Sequence, residues 1–116
     1  SRSQHENRAR ALKRLRRAIA LHVRTPVDVA RYEPGAVVAQ CLVHGLHLQV
    51  GIKDHRYNLV VAEVLDLLEA CGCRVSTAAK KLGISTGNLV AFVRRDAKLL
   101  ARVNQMRAAA EIKPLR

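Results

Sequence analysis

The side chains of this sequence best suited to act on another molecule are cations: twenty-one Lys and Arg against nine Asp and Glu give a formal charge of +12 at pH 7. Residues 1–24 carry eight Lys/Arg against Glu6, residues 25–73 carry three against six acids, and residues 74–116 carry ten against two. The local balances are +7, −3 and +8. Each phosphate neutralised by Lys or Arg releases condensed counterions, so two basic ends around a mildly acidic middle predict polyanion contacts at both ends. The candidates are Arg2, Arg8, Arg10, Lys13, Arg14 and Arg17 at the first end and Lys80, Lys81, Arg94 and Arg95 at the second. Asn88 joins the second set because its amide can pair with adenine, as Arg94 can with guanine.

Other chemistry is not expected. No nucleophile motif, phosphate loop or paired carboxylates in a cleft-like context occur, so the chain is read as a binding protein and not an enzyme. Cys41, His44 and His47 sit three apart and, with Cys71 and Cys73, invite a zinc reading. Structural zinc sites pair their ligands across a tight knuckle, however, and no C-x-x-C is present, so neither metal nor cofactor is expected. Three cysteines without a framework spacing predict reduced thiols. Tyr32, Tyr57 and Phe92 are the only aromatics, which disfavours a base-stacking platform. No apolar run is long enough to span a bilayer and no signal segment opens the chain, so a soluble, cytoplasmic protein with no membrane partner and no small-molecule substrate is expected.

Two short helices crossing at a tight turn must position the second cationic set. In STAAKKLGISTGNLVAFVRR, residues 76–95, Gly83 fits a C′ position at positive φ, and Ser85 or Thr86 fits the cap of the next helix. Ala79 permits close approach, and Leu82, Ile84, Leu89 and Phe92 form an apolar seam. This is the pattern of a helix-turn-helix. With Leu89 and Phe92 inward, helical spacing turns Ser85, Thr86, Gly87, Val90, Ala91 and Arg94 outward. The last helix or a protein partner is expected to cover the apolar members of that set. Gly87, Val90 and Ala91 offer no donor or acceptor to a base, so little sequence discrimination on DNA is expected.

The first set lies on a helix. Ser3 and Glu6 have the spacing of a capping box, Leu12, Leu15 and Ile19 make an apolar stripe expected to lie on a neighbour, and Arg and Lys crowd the other sides. Arg2, Ser3, Gln4, His5, Asn7, Ala11 and Leu12 match R-S-Q-H/x-x-N-x-x-x-A-L, and residues 1–21 resemble the closing helix of the catalytic domain of class-I peptide chain release factors and their shorter ribosome-rescue relatives. The family's chemistry resides in a Gly-Gly-Gln loop that helps water cleave peptidyl-tRNA. Neither a Gly-Gly nor a Gly-Gln pair occurs here. Since that loop lies upstream of the matched segment in the family, the resemblance implies a part of a longer protein that follows the catalytic loop, touches ribosomal RNA, and does not itself hydrolyse. Gln4 and His5, inside the matched segment, join the candidate RNA contacts. Residues 83–89 and the Lys-Pro-Leu-Arg tail at 113–116 also resemble release-factor-like proteins that append a helical region.

Between these ends, Pro26, Pro34 and Gly35 break any helical period, and residues 25–56 are expected to be a linker with one short helix from Ala36 to His44, stopped by Gly45 and followed by coil. Residues 59–70 are apolar on most sides, interrupted by the stripe Glu63, Asp66 and Glu69, and predict the central helix of the bundle, ended by Gly72. Asp96 is placed to cap a last helix with Leu99, Val103, Met106 and Ala110 on one face and Pro114 as its stop. The expectation is an all-α chain: a basic helix (1–24), a linker (25–56) and a helical bundle containing a helix-turn-helix (57–116). Its expected role is ribosome association in translation termination or rescue, with a helix-turn-helix DNA-binding regulator as the alternative.

Overall fold

The computed structural model describes residues 2–116. Its organising element is α3 (Tyr57–Ala70), seven of whose fourteen residues are buried, a wider face than a surface helix offers. The helices α1 (Arg2–His22), α2 (Ala36–Cys41), α4 (Val75–Leu82) and α6 (Ala97–Ala109) all pack on it, and α5 (Thr86–Arg94) packs on α4 and α6. Among the described residues the only strands are β1 (Leu42–Val43) and β2 (His47–Leu48), paired antiparallel with Leu42 opposite Leu48. The chain is therefore a small all-α bundle carrying one short hairpin.

The α4–α5 unit is built as its residues predict. Gly83 has φ 80°, its N–H donates to Lys80 O at 3.2 Å, and the Ile84 N–H donates to Ala79 O at 3.0 Å, a pairing that satisfies the last carbonyls of α4 and turns the chain sharply. Ser85, and not Thr86, is the cap: its Oγ accepts from the Asn88 N–H at 3.1 Å. Ala78, Ala79, Leu82, Leu89, Phe92 and Val93 are buried where the two helices meet α3 and α6.

Residues 25–56 do not behave as a linker. Val38, Cys41, Leu48 and Val50 belong to the same buried cluster as the helices. The proline-containing stretch lies along α3, and the acidic stripe supplies what its extended backbone lacks. Asp66 accepts from the Thr25 N–H and pairs with Arg24, both at 3.0 Å. Glu63 accepts from the Tyr32 hydroxyl at 2.6 Å and from the Gly35 N–H at 3.0 Å. The stripe is thus a docking strip for the preceding segment. The short helix there is also three residues shorter than expected: it ends at Cys41 because Leu42 and Val43 pair with β2, and the chain reverses through His44 and Gly45, both at positive φ.

Among the described residues Asp96 is the one buried charged side chain, and three helices converge on it. It caps α6 by accepting from the Lys98 and Leu99 N–H groups, accepts from the Tyr57 hydroxyl of α3 at 2.7 Å, and pairs with Arg17 of α1. Burial pushes its carboxyl upward, but the Tyr57 hydrogen bond, the Arg17 charge and the two backbone donors outweigh that and hold it below the ordinary carboxylate value.

Two helix ends depart from expectation. Helix α1 begins at Arg2, ahead of Ser3, so the Ser3–Glu6 capping box does not form, and Glu6 pairs with Arg2 at 3.3 Å one turn away. Helix α6 ends at Ala109, well before Pro114, because Glu111 takes a φ of 60° and lets the Ile112 N–H close onto Arg107 O at 3.0 Å. Ala110 is consequently a cap residue in solvent rather than part of the buried face of Leu99, Val103 and Met106.

Candidate nucleic-acid interface

Helix α1 is anchored only at its C-terminal end. Ala20 and Leu21 are its buried residues, Arg17 is partly buried on Asp96, and Arg102 of α6 donates to Leu21 O at 2.9 Å. At about 1.5 Å per residue the helix is about 30 Å long, so its N-terminal turns stand off the bundle. Residues 2–16 are exposed throughout. Among the described residues Arg8, Arg10, Lys13, Arg14 and Arg16 make no hydrogen bond or ion pair, while Arg2 is held by Glu6 and His5 is exposed beside Gln4.

The apolar stripe of α1 does not do what its pattern suggests. Leu12, Leu15 and Ile19 are 49%, 56% and 49% exposed. Successive helical residues turn by about 100°, which puts these three on the side opposite Arg17 and Leu21, and it is the latter side that meets the bundle. The helix docks by the Arg17–Asp96 ion pair, the burial of Ala20 and Leu21 and the bond to the Leu21 carbonyl instead of by its stripe.

The second cationic set divides. Arg94 and Lys80 are exposed and make no hydrogen bond or ion pair among the described residues, and Lys81 is half-buried near Cys71. Asn88 is not free to read adenine, because its Nδ2 donates to Leu46 O of the hairpin turn at 2.6 Å. Arg95 donates to Val50 O at 2.8 Å and lies 5.3 Å over the Phe92 ring, so it is committed to packing. The expected outward face of α5 is otherwise in place: Ser85, Thr86, Gly87, Ala91 and Arg94 are exposed and Val90 is half-buried. Helix α6 leaves Ala91 uncovered.

Neither the cysteines nor the histidines form a centre. No group of three or more His, Cys, Asp or Glu among the described residues is arranged to hold a metal, and Cys41 is buried at the end of α2 while His44 and His47 sit on the hairpin, off any common helix face. Burial pushes the Cys71 and Cys73 thiols up, which keeps them protonated and weakly nucleophilic. Among the described residues no helix is long and apolar enough to cross a membrane.

The fold adds two residues that the sequence did not single out. Lys53 and His55, in the turn before α3, lie across a cleft from Lys13 and Arg16 of α1. The basic run Lys53, His55, Arg56 was the available signal, diluted by Asp54. No protein-family model matches this chain, and no curated protein or solved structure matches it either.

Proposed function

We propose that this chain is the RNA-binding, ribosome-associated C-terminal part of a release-factor-like protein, acting in translation termination or rescue without peptide-release chemistry of its own. The observation that carries the reading is the standing-off end of α1. Among the described residues five cations there have no partner, Arg8, Arg10 and Arg14 in open solvent and Lys13 and Arg16 facing the turn before α3, on a helix whose far end is fixed by Arg17 and Asp96. A rigid basic rod of this kind suits phosphate contact, which gives affinity without base reading. The match of Arg2, Ser3, Gln4, His5, Asn7, Ala11 and Leu12 to the release-factor helix supports the ribosome as the source of that RNA.

Binding of the chain to ribosomes and to isolated ribosomal RNA across a salt series tests this. Reversing Arg10 and Arg14 to Glu should weaken binding and reduce the log–log salt slope by about 1–2. An unchanged slope would make these arginines a solvated face. Peptide release from peptidyl-tRNA by this chain above background would overturn the non-catalytic half of the reading.

The helix-turn-helix geometry favours a second reading, a DNA-binding regulator, but Asn88 and Arg95 are bonded to the hairpin segment and only Arg94 remains on α5 as a base reader. Selection from random duplex DNA decides between them. Enrichment of one motif by several hundredfold would favour the regulator.

A further inference from the structure

Between α1 and the turn that leads into α3 lies a cleft of about 430 Å³. Lys13 and Arg16 face it from α1, and Lys53, His55 and Asn58 from the turn and the start of α3. Lys13, Arg16 and Lys53 make no hydrogen bond or ion pair among the described residues. Cations so placed repel one another across the cleft, a cost that an entering anion reverses.

The acid in the wall does not supply that anion. Arg56 donates to both oxygens of Asp54 through its side chain, at 3.1 and 2.8 Å, and through its backbone N–H at 2.9 Å; these bonds hold the Asp54 carboxyl well below the usual range, and His55 Nδ1 lies 3.5 Å from the same Oδ1, so the charge of Asp54 is taken up by its two sequence neighbours. Arg17, the remaining cation of the wall, is paired with Asp96.

We propose that this cleft is a phosphate-binding site and, resting on the RNA reading above, that its occupant is a phosphate of the RNA backbone. Lys13 and Lys53 grip it as point charges from two sides, Arg16 offers a planar fork to two oxygens, and Asn58 donates its amide.

Two measurements separate the site from its occupant. Inorganic pyrophosphate titrated into the isotope-labelled chain at low salt should shift the backbone amide resonances of Lys53, His55 and Asn58 saturably. Lys53→Glu should abolish those shifts with the melting curve unchanged, since Lys53 is exposed. No saturable shift at these amides overturns the site. Anisotropy of a labelled ribosomal RNA hairpin then tests the occupant. Lys13→Glu and Lys53→Glu should each weaken binding by about three- to tenfold at ~100 mM salt, and the double variant by less than the product, because both grip one phosphate. Arg10→Glu, outside the cleft, should weaken RNA binding and leave the pyrophosphate shifts intact. RNA binding that falls with Arg10→Glu but not with Lys53→Glu overturns the RNA occupant. Absence of any RNA binding by the unmodified chain overturns the RNA reading and the occupant together, while the pyrophosphate shifts still decide the site.

Discussion

Residues 1–24 and residues 74–116 carry nearly equal net charge, +7 and +8, and hold it in opposite ways. In α1, Arg2 is held by Glu6 and Arg17 by Asp96, but Arg8, Arg10, Lys13, Arg14 and Arg16 meet no acceptor among the described residues. In the second region Arg95, Arg102 and Arg107 reach the carbonyls of Val50, Leu21 and Cys73, and Asn88 reaches that of Leu46. The difference lies in what backbone is within reach. A helix that leaves the bundle passes no foreign carbonyl, whereas helices packed side by side pass several, and a long cationic side chain bonds the first one that its neighbours leave unpaired. Charge counts therefore set the potential around this protein but not which side chains are available to a ligand.

The comparison is broken most severely at the point where the two regions join. Asp96→Ala removes the cap of α6, the acceptor of the Tyr57 hydroxyl and the partner of Arg17, leaving a partly buried guanidinium unpaired. Stability should fall by about 3 kcal/mol, with a melting temperature lower by roughly 10–20 °C. Because the folded carboxyl lies below its ordinary value, this contribution is complete above the unfolded value of about 3.9 and is lost as the pH falls through the folded one. Urea titrations of variant and parent should accordingly converge below about pH 4, and a difference that persists into acid would show that packing, not the charge, carries the effect.

Next in size is the contrast in binding. Arg10→Glu with Arg14→Glu should cost about tenfold or more in affinity for ribosomal RNA and little stability, since neither side chain has a partner among the described residues. Arg95→Ala should do the reverse, losing about 1 kcal/mol of stability through the Val50 carbonyl and the Phe92 ring while RNA affinity holds. Equal losses of RNA affinity from both would erase the distinction between the two regions.

Asn88→Ala sharpens it further. Its amide ties α5 to the hairpin turn, so about 1 kcal/mol of stability should go, read by thermal melting, with no change in nucleic-acid binding. Retained stability with lost binding would return Asn88 to the interface. The smallest effect is expected at Gly35, where an added Cβ would come within 2.5 Å of Glu63 Oε1. The clashing Oε1 is the end of a flexible side chain and both bonds to Tyr32 and Gly35 are made by Oε2, so a small rotation that keeps them should limit the cost of Gly35→Ala to less than about 1 kcal/mol.

Elements whose signals are local were legible in the sequence. The left-handed glycine at Gly83, the oxygen cap at Ser85, the cap at Asp96 and the apolar breadth of residues 59–70 each act within a turn or two of chain, so α3 through α6 and the helix-turn-helix follow from residue type and spacing. The free cations of α1 were legible for the same reason, since a side chain that meets nothing behaves as its sequence says.

What required the tertiary structure was every question of partner. The same spacing of Leu12, Leu15 and Ile19 that suggests a buried face is left exposed, because Arg17 and Leu21 on the other side find Asp96 and Arg102. Asn88 and Arg95 read as contacts for a ligand and are instead bonded to a hairpin that precedes them by about forty residues, and Glu63 and Asp66, an acidic stripe whose surroundings the sequence does not decide, hold residues 24–35. Lys53 acquires meaning only when the fold sets it across a cleft from Lys13. Hydrogen bonds and ion pairs act over a few ångströms, and sequence separation carries almost no information about which distant groups will come that close.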